Sequence, residues 1–167
     1  PDKDHHGISD ALDACPNDAG IRTSTPKTHG CPKIFGSARL TSSGIEITSS
    51  ILFATGKADV LPASSKTLED IAKVMKQEPD ALQLVAIEGH TDALGDRDAN
   101  LKLSRDRVQS VLDWLVKKQG IPADRLTTHW FGPDRPIAEN ETEAGRTKNR
   151  RVEFHVVRPT PKVFGSW

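Results

Sequence analysis

The stretch from Leu82 to Leu115 constrains the fold more than any other part of the chain. Leu82, Leu84, Val85, Ala86 and Ile87 form an apolar run broken only by Gln83. Such a run predicts a central strand over 82–88, covered on both faces. It ends at Gly89-His90-Thr91-Asp92, and Gly95 then precedes Asp96, a good helix N-cap. Val108, Val111, Leu112 and Leu115 follow at helical spacing as far as Gln119-Gly120. The same helix puts Asn100, Leu103, Ser104 and Arg107 at i, i+3, i+4 and i+7, on one stripe. Asp92 therefore sits in the turn after a buried strand, with Arg107 on the facing helix. An acid and an arginine so placed can clasp a small zwitterion, or can simply pair with each other.

The flanking segments extend the alternation of strand and helix. Ile45, Ile47, Ile51 and Phe53 alternate as one strand or two short ones, ending at Thr55-Gly56. After Pro62, Leu68, Ile71, Ala72 and Met75 recur at helical spacing until Glu78-Pro79-Asp80. A third strand is predicted over 126–131, stopped by Gly132-Pro133, and a short helix within 140–149. Val152, Phe154 and Val156 then alternate with Arg151, Glu153 and His155 in a last strand. The order is β-α-β-α-β-(α)-β, an α+β fold with helices packed on one mixed sheet.

Charge is balanced, with 23 basic and 23 acidic residues, so no overall field draws the chain to nucleic acid or an anionic membrane. There is no apolar run of the roughly 18 residues that a spanning helix needs. The chain starts at Pro1 without an initiator Met or a leader-like segment. The expectation is a mature or excised portion whose membrane anchor lies in parts outside this sequence.

Residues 1–35 differ in composition from the rest and form a small appendage to the domain over 43–158. Asp2, Asp4, Asp10 and Asp13 fall at positions 1, 3, 9 and 12 of a calcium-binding loop. Gly7 stands at the sharp turn, and Ile8 is placed to offer its backbone carbonyl. An EF-hand would need a helix on each side and is not expected, with the given sequence beginning at Pro1 and Cys15-Pro16 following the loop at once. His6 replaces the acid at position 5, which weakens a calcium site and suits a transition metal; zinc at His5 and His6 is the alternative. A solvated acidic turn with no ion is the plain reading. Cys15 and Cys31, each followed by Pro, flank a loop rich in Pro, Gly and Thr. They read as a disulfide staple worth about 3 kcal/mol in an oxidising compartment, or else as a reduced pair. The tail over 159–167, with Phe164 and Trp167, has no periodicity.

Two blocks carry a family resemblance. Gly89-His90-Thr91-Asp92, Gly95 and Asn100-x-x-Leu103-Ser104-x-x-Arg107 come first, then Gly145-Arg146-x-x-Asn149-Arg150-Arg151-Val152. Together they resemble the OmpA-like peptidoglycan-binding domain, also found in Pal lipoproteins and MotB stators, over 45–157. The N-terminal loop resembles the thrombospondin type-3 repeat, a calcium module that often precedes such domains. The resemblance implies a ligand, the meso-diaminopimelate of the peptidoglycan stem peptide. Asp92 would accept from its ammonium and Arg107 would grip its carboxylate. Asn100 and Leu103 would line the wall, Arg150 would add positive charge, and Thr55 would help close the pocket. Ala54 stands where relatives often carry Asp or Asn, so one polar contact to the peptide is missing. Arg151 is expected on the other face of the sheet.

The implied role is non-covalent anchoring of an outer-membrane protein or lipoprotein to the wall, in the periplasm of a Gram-negative-type bacterium. A stator or secretion-type anchor, or a calcium-dependent adhesion module, are the alternatives. An enzyme is not expected. His90, His129 and His155 form no His-Glu-x-x-His motif, and no Gly-x-Ser-x-Gly elbow occurs.

Overall fold

The computed structural model describes residues 1–158 apart from Thr25 and Lys27. The tail over 159–167 lies outside the described residues. The elements are β1 (Lys33–Phe35), β2 (Ala38–Leu40), β3 (Gly44–Ile47), α1 (Ser65–Gln77), β4 (Val85–His90), α2 (Arg97–Gln119), β5 (Leu126–Gly132), α3 (Glu143–Asn149) and β6 (Arg151–Val156). The strands form a single mixed sheet in the order β1-β2-β3-β6-β4-β5. β4 and β5 are parallel, joined through α2, and the other pairs are antiparallel. The α+β architecture read from the sequence is the one observed.

Local chemistry explains the helix limits. Pro62 opens a short 3-10 turn that leads into α1, whose Leu68, Ile71, Ala72, Val74 and Met75 are fully buried. The Asp96 carboxylate caps α2 by accepting from the Ala99 N–H at 2.9 Å. Gly120 ends α2 with φ of 69°, a left-handed turn that costs glycine little. On the sheet, Val85, Ile87, Val152 and Phe154 join these helical residues in one core. A Cβ added at Gly89 would lie 2.7 Å from Val108 Cγ1 and 2.8 Å from the Ser104 carbonyl. Glycine at that point lets α2 lie directly on β4, next to the site turn.

Four expectations change. The central strand runs over Val85–His90, later than the apolar run, while buried Leu82 sits in the preceding loop and its carbonyl accepts from Arg125. Nor is β4 apolar-covered on both faces. Its second face pairs Ala86 with His155, Glu88 with Glu153 and His90 with Arg151, a polar, partly exposed surface. Ile51 and Phe53 form no strand beyond one bridge, Phe53 to Val60. That segment folds on itself around Gly56, and the Leu52 N–H donates to Ser64 Oγ at 2.7 Å. The sheet also begins upstream of Ser43, because β1 and β2 are three-residue strands too short for alternation to reveal.

The N-terminal segment has no helix or strand among its described residues before Lys33, and Cys15 and Cys31 are joined by a disulfide. Among the described residues no helix is long and apolar enough to cross a membrane.

Candidate functional site

Three elements meet at the C-terminal end of β4. The turn after β4 supplies Thr91 and Asp92, the first half of α2 supplies Asn100, Leu103 and Arg107, and the start of α3 approaches from the far side. The self-folded loop over 51–61 closes the fourth side with Phe53, Thr55 and Gly56. All six residues expected at the peptidoglycan site, Thr55, Asp92, Asn100, Leu103, Arg107 and Arg150, line one cleft of about 620 Å³. A smaller cavity of about 200 Å³ lies behind it and shares Phe53, Arg107 and Arg150.

The turn is held in place by hydrogen bonds. Asp92 Oδ1 accepts from the Leu94 N–H at 3.0 Å, and Asn100 Nδ2 donates to the Leu94 carbonyl at 2.7 Å. Asn100 is thus a brace for the turn as well as a wall residue. Asn149, fully buried, accepts from the Ile137 and Ala138 N–H groups and donates to Asn140, whose side chain receives the Ala93 N–H. The Asn in the Asn-Arg-Arg block is therefore a scaffold that ties the 137–140 loop to the Asp92 turn.

The two acidic–basic partners expected to face each other do not pair. Asp92 Oδ2 accepts from Arg150 at 2.7 Å, and Arg150 also donates to Glu143 at 2.7 Å. The hydrogen bonds that Arg150 donates to Asp92, then to Glu143, hold its guanidinium above its usual pKa, despite some burial. Arg150 in turn draws the Glu143 carboxyl below its usual range. So Arg150, expected to contribute to ligand carboxylate binding, is already engaged by two protein carboxylates.

Arg107 is the opposite case. It is buried, and among the described residues it has no carboxylate partner. Its Nε–H donates to the Lys57 carbonyl at 3.0 Å and its guanidinium stacks 4.8 Å from the Phe53 ring centre. Burial, then repulsion from Arg150, lowers its pKa, with partial relief from Asp92. The terminal N–H groups, on the wall of the cleft, have no hydrogen bond among the described residues. A planar fork fixed by stacking, cationic and unmatched, is preorganised for a carboxylate. Each Asp92 oxygen keeps a further lone pair for a ligand ammonium beside Arg150.

Sequence reasoning missed Phe53, Lys57 and Glu143. Phe53 is part of the alternating pattern, Lys57 acts through its backbone, and Glu143 is one acid in a polar run, so none carried a local signal. Arg151 lies on the other sheet face as expected, near Glu153 at 3.4 Å. His90 is buried, stacks on Phe131 at 5.3 Å and turns Nε2 towards Glu153. In the N-terminal segment Asp2 and Asp4 converge with His6, whereas Asp10 accepts the Lys3 N–H and Asp13 accepts the Cys15 N–H. Ile8 has its side chain buried.

Residues 52–150 match the OmpA family, a span that contains all six cleft residues. Outer membrane porin F of Pseudomonas aeruginosa is 33% identical over 155 residues, covering 93% of this chain and 41% of the porin. The peptidoglycan-binding protein ArfA of Mycobacterium tuberculosis is 41% identical over 106 residues, 64% of this chain and 32% of ArfA. The chain thus spans less than half the length of these curated relatives. Among solved structures, the cell wall anchor of the T6SS from Pseudomonas aeruginosa superposes with a TM-score of 0.59 at 29% identity, covering 71% of this chain and 85% of the anchor.

Proposed function

The chain belongs to the OmpA family, and we propose that it anchors an envelope protein to the cell wall by binding peptidoglycan without turnover. The observation that carries this reading is Arg107, a buried guanidinium whose terminal N–H groups are unmatched among the described residues, on the wall of a cleft that Asp92 also lines. The names of two relatives, a peptidoglycan-binding protein and a cell wall anchor, support it. Outer membrane porin F supports placement at the outer membrane, and binding to the wall puts the domain on its periplasmic side in this reading.

The finer reading is recognition of meso-diaminopimelate. Its side-chain end carries an ammonium and a carboxylate on one carbon, matching Asp92 and Arg107. Lysine in the same stem position has no second carboxylate, so Arg107 would stay unmatched and the wall type would be discriminated. Leu103 and Phe53 offer apolar contact to the methylenes between the two ends. Asn100 and Thr55 set the width of the cleft. Two or three charge-assisted hydrogen bonds, each about 1.5–3 kcal/mol before entropy costs, give modest affinity for one stem peptide. A repetitive polymer compensates, because each release leaves another stem peptide close by.

Co-sedimentation with purified sacculi tests the reading. Diaminopimelate-type sacculi should retain the protein, and free diaminopimelate should release it. Equal retention of Asp92→Ala, Arg107→Ala and the unaltered chain would refute the assignment of the cleft.

A further inference from the structure

The N-terminal loop, apart from the cleft, gathers buried polar groups with no hydrogen-bond partner among the described residues. The Asp4, His6 and Asp13 side chains are 6%, 1% and 1% exposed. Both Asp4 oxygens, both His6 nitrogens, Asp2 Oδ1 and Asp13 Oδ2 are buried without a hydrogen-bond partner among the described residues. His6 Nδ1 lies against Asp4 Oδ1 and 3.6 Å from Asp2 Oδ1. On the other side of the ring, His6 Nε2 is 3.4 Å from Asp13 Oδ2. One ligand atom from each of Asp2, Asp4 and His6 falls within 4.8 Å of the other two. The nearby Arg22 donates to the Gly7 carbonyl instead of to these carboxylates. Carboxylates withdrawn from water without a compensating charge are strongly unfavourable, so the loop needs a cation among them.

The donor set does not suit calcium. Calcium takes six to eight oxygens, and here the central group is an imidazole. Two of the expected oxygen donors have one carboxylate oxygen engaged by the backbone: Asp10 Oδ1 by the Lys3 N–H at 3.0 Å, and Asp13 Oδ1 by the Cys15 N–H at 2.7 Å. An imidazole with two carboxylates suits the borderline first-row divalent ions. The contact between Asp13 and His6 adds a second, independent feature. A histidine that ligates such an ion commonly donates its other ring N–H to a carboxylate, which fixes the tautomer. Asp13 is itself held firmly, because its carboxylate lies against Gly30 and next to the Cys15–Cys31 bridge.

We propose that Asp2, Asp4 and His6 bind a divalent transition-metal ion of the zinc class in preference to calcium, with Asp13 as the positioning residue for His6. His6 ligates through Nδ1 and donates Nε2–H to Asp13; water fills the remaining positions. The site is independent of the peptidoglycan reading and stands or falls separately.

The test uses the full chain with its disulfide intact, stripped of metal by a chelator. Cobalt(II) is titrated in, its visible absorption reporting coordination, and zinc or calcium is then added as competitor. The expected result is one bound cobalt, displaced by zinc and retained in a large excess of calcium. His6→Ala should abolish the absorption, Asp13→Asn should weaken zinc binding roughly ten- to a hundredfold, and His6→Asp should turn the preference to calcium. His155→Ala controls for the Glu88, Glu153 and His155 group on the sheet face, and should change nothing. Circular dichroism and thiol titration establish that each variant remains folded and bridged. Displacement of cobalt by calcium as readily as by zinc would overturn the proposal, as would binding that survives His6→Ala. Absence of binding in the folded chain would overturn it too.

Discussion

Arg107→Met separates a binding arginine from a structural one. The substitution removes the Nε–H bond to the Lys57 carbonyl, about 1.5–3 kcal/mol for a charged donor. It also removes the stacking of the guanidinium on Phe53, about 0.5–1 kcal/mol or somewhat more in a desolvated setting. Against these losses stands relief from burying a cation that has no carboxylate partner among the described residues, several kcal/mol in the effective desolvation of an ion. Methionine fills much of the vacated volume and adapts to irregular space. The opposing effects nearly cancel, so stability should stay within about 1 kcal/mol of the unaltered chain, a midpoint change of about 2–4 °C for a domain of this size. Binding should suffer instead, because the ligand carboxylate loses its charge-assisted donors; a fall of at least about tenfold is expected from one such bond. Urea denaturation with matched m-values gives the first quantity, and titration with a diaminopimelate stem peptide gives the second. A destabilisation of about 3–5 kcal/mol, the signature of breaking a buried ion pair, would refute the reasoning, because Arg107 would then be structural.

Two further predictions concern the frame around the site. Gly89→Ala places a methyl group 2.7 Å from Val108 Cγ1 and 2.8 Å from the Ser104 carbonyl, so it should cost about 1–3 kcal/mol in urea denaturation by pushing α2 off β4. A neutral result would mean that the close helix–strand approach is not needed. Asp70 on α1 accepts from Ser37 N–H at 2.9 Å and Ser37 Oγ at 2.8 Å, and pairs with Lys66. Burial raises its pKa, but the bonds from Lys66 and Ser37 outweigh that and hold it below the usual 3.8. Its folded value being depressed, its contribution is present above that usual value and is lost as pH falls through the folded one. The stability gap between the unaltered chain and Asp70→Asn should therefore shrink below about pH 4; a gap constant down to strong acid would contradict the bonding described.

What the sequence made legible follows from the range of the interactions involved. α1 and α2 were readable because periodicity and caps are local: Pro62, Asp96 and Gly120 punctuate segments whose apolar residues recur every third or fourth position. β1 and β2 were not, since three residues cannot establish alternation and their pairing depends on a turn held by Asp70 from α1. Ile51 and Phe53 alternate like a strand, yet that segment has no sheet neighbour and folds on itself, with Phe53 serving as the platform under Arg107. The cleft residues were found because the motif places them on one turn and one helical stripe. Their partners were hidden: Asp92 and Arg150 are 58 positions apart, and Arg107 is oriented by a backbone carbonyl 50 positions away.

The most direct measurement is calorimetric titration of diaminopimelate-type and lysine-type muropeptides into the folded chain. The account predicts saturable binding of the diaminopimelate form, at least about tenfold weaker binding of the lysine form because Arg107 gains no carboxylate, and loss of that difference in Arg107→Ala. Equal affinity for both muropeptides, or none for either, would contradict the central claim that the unmatched Arg107 reads the ligand's second carboxylate.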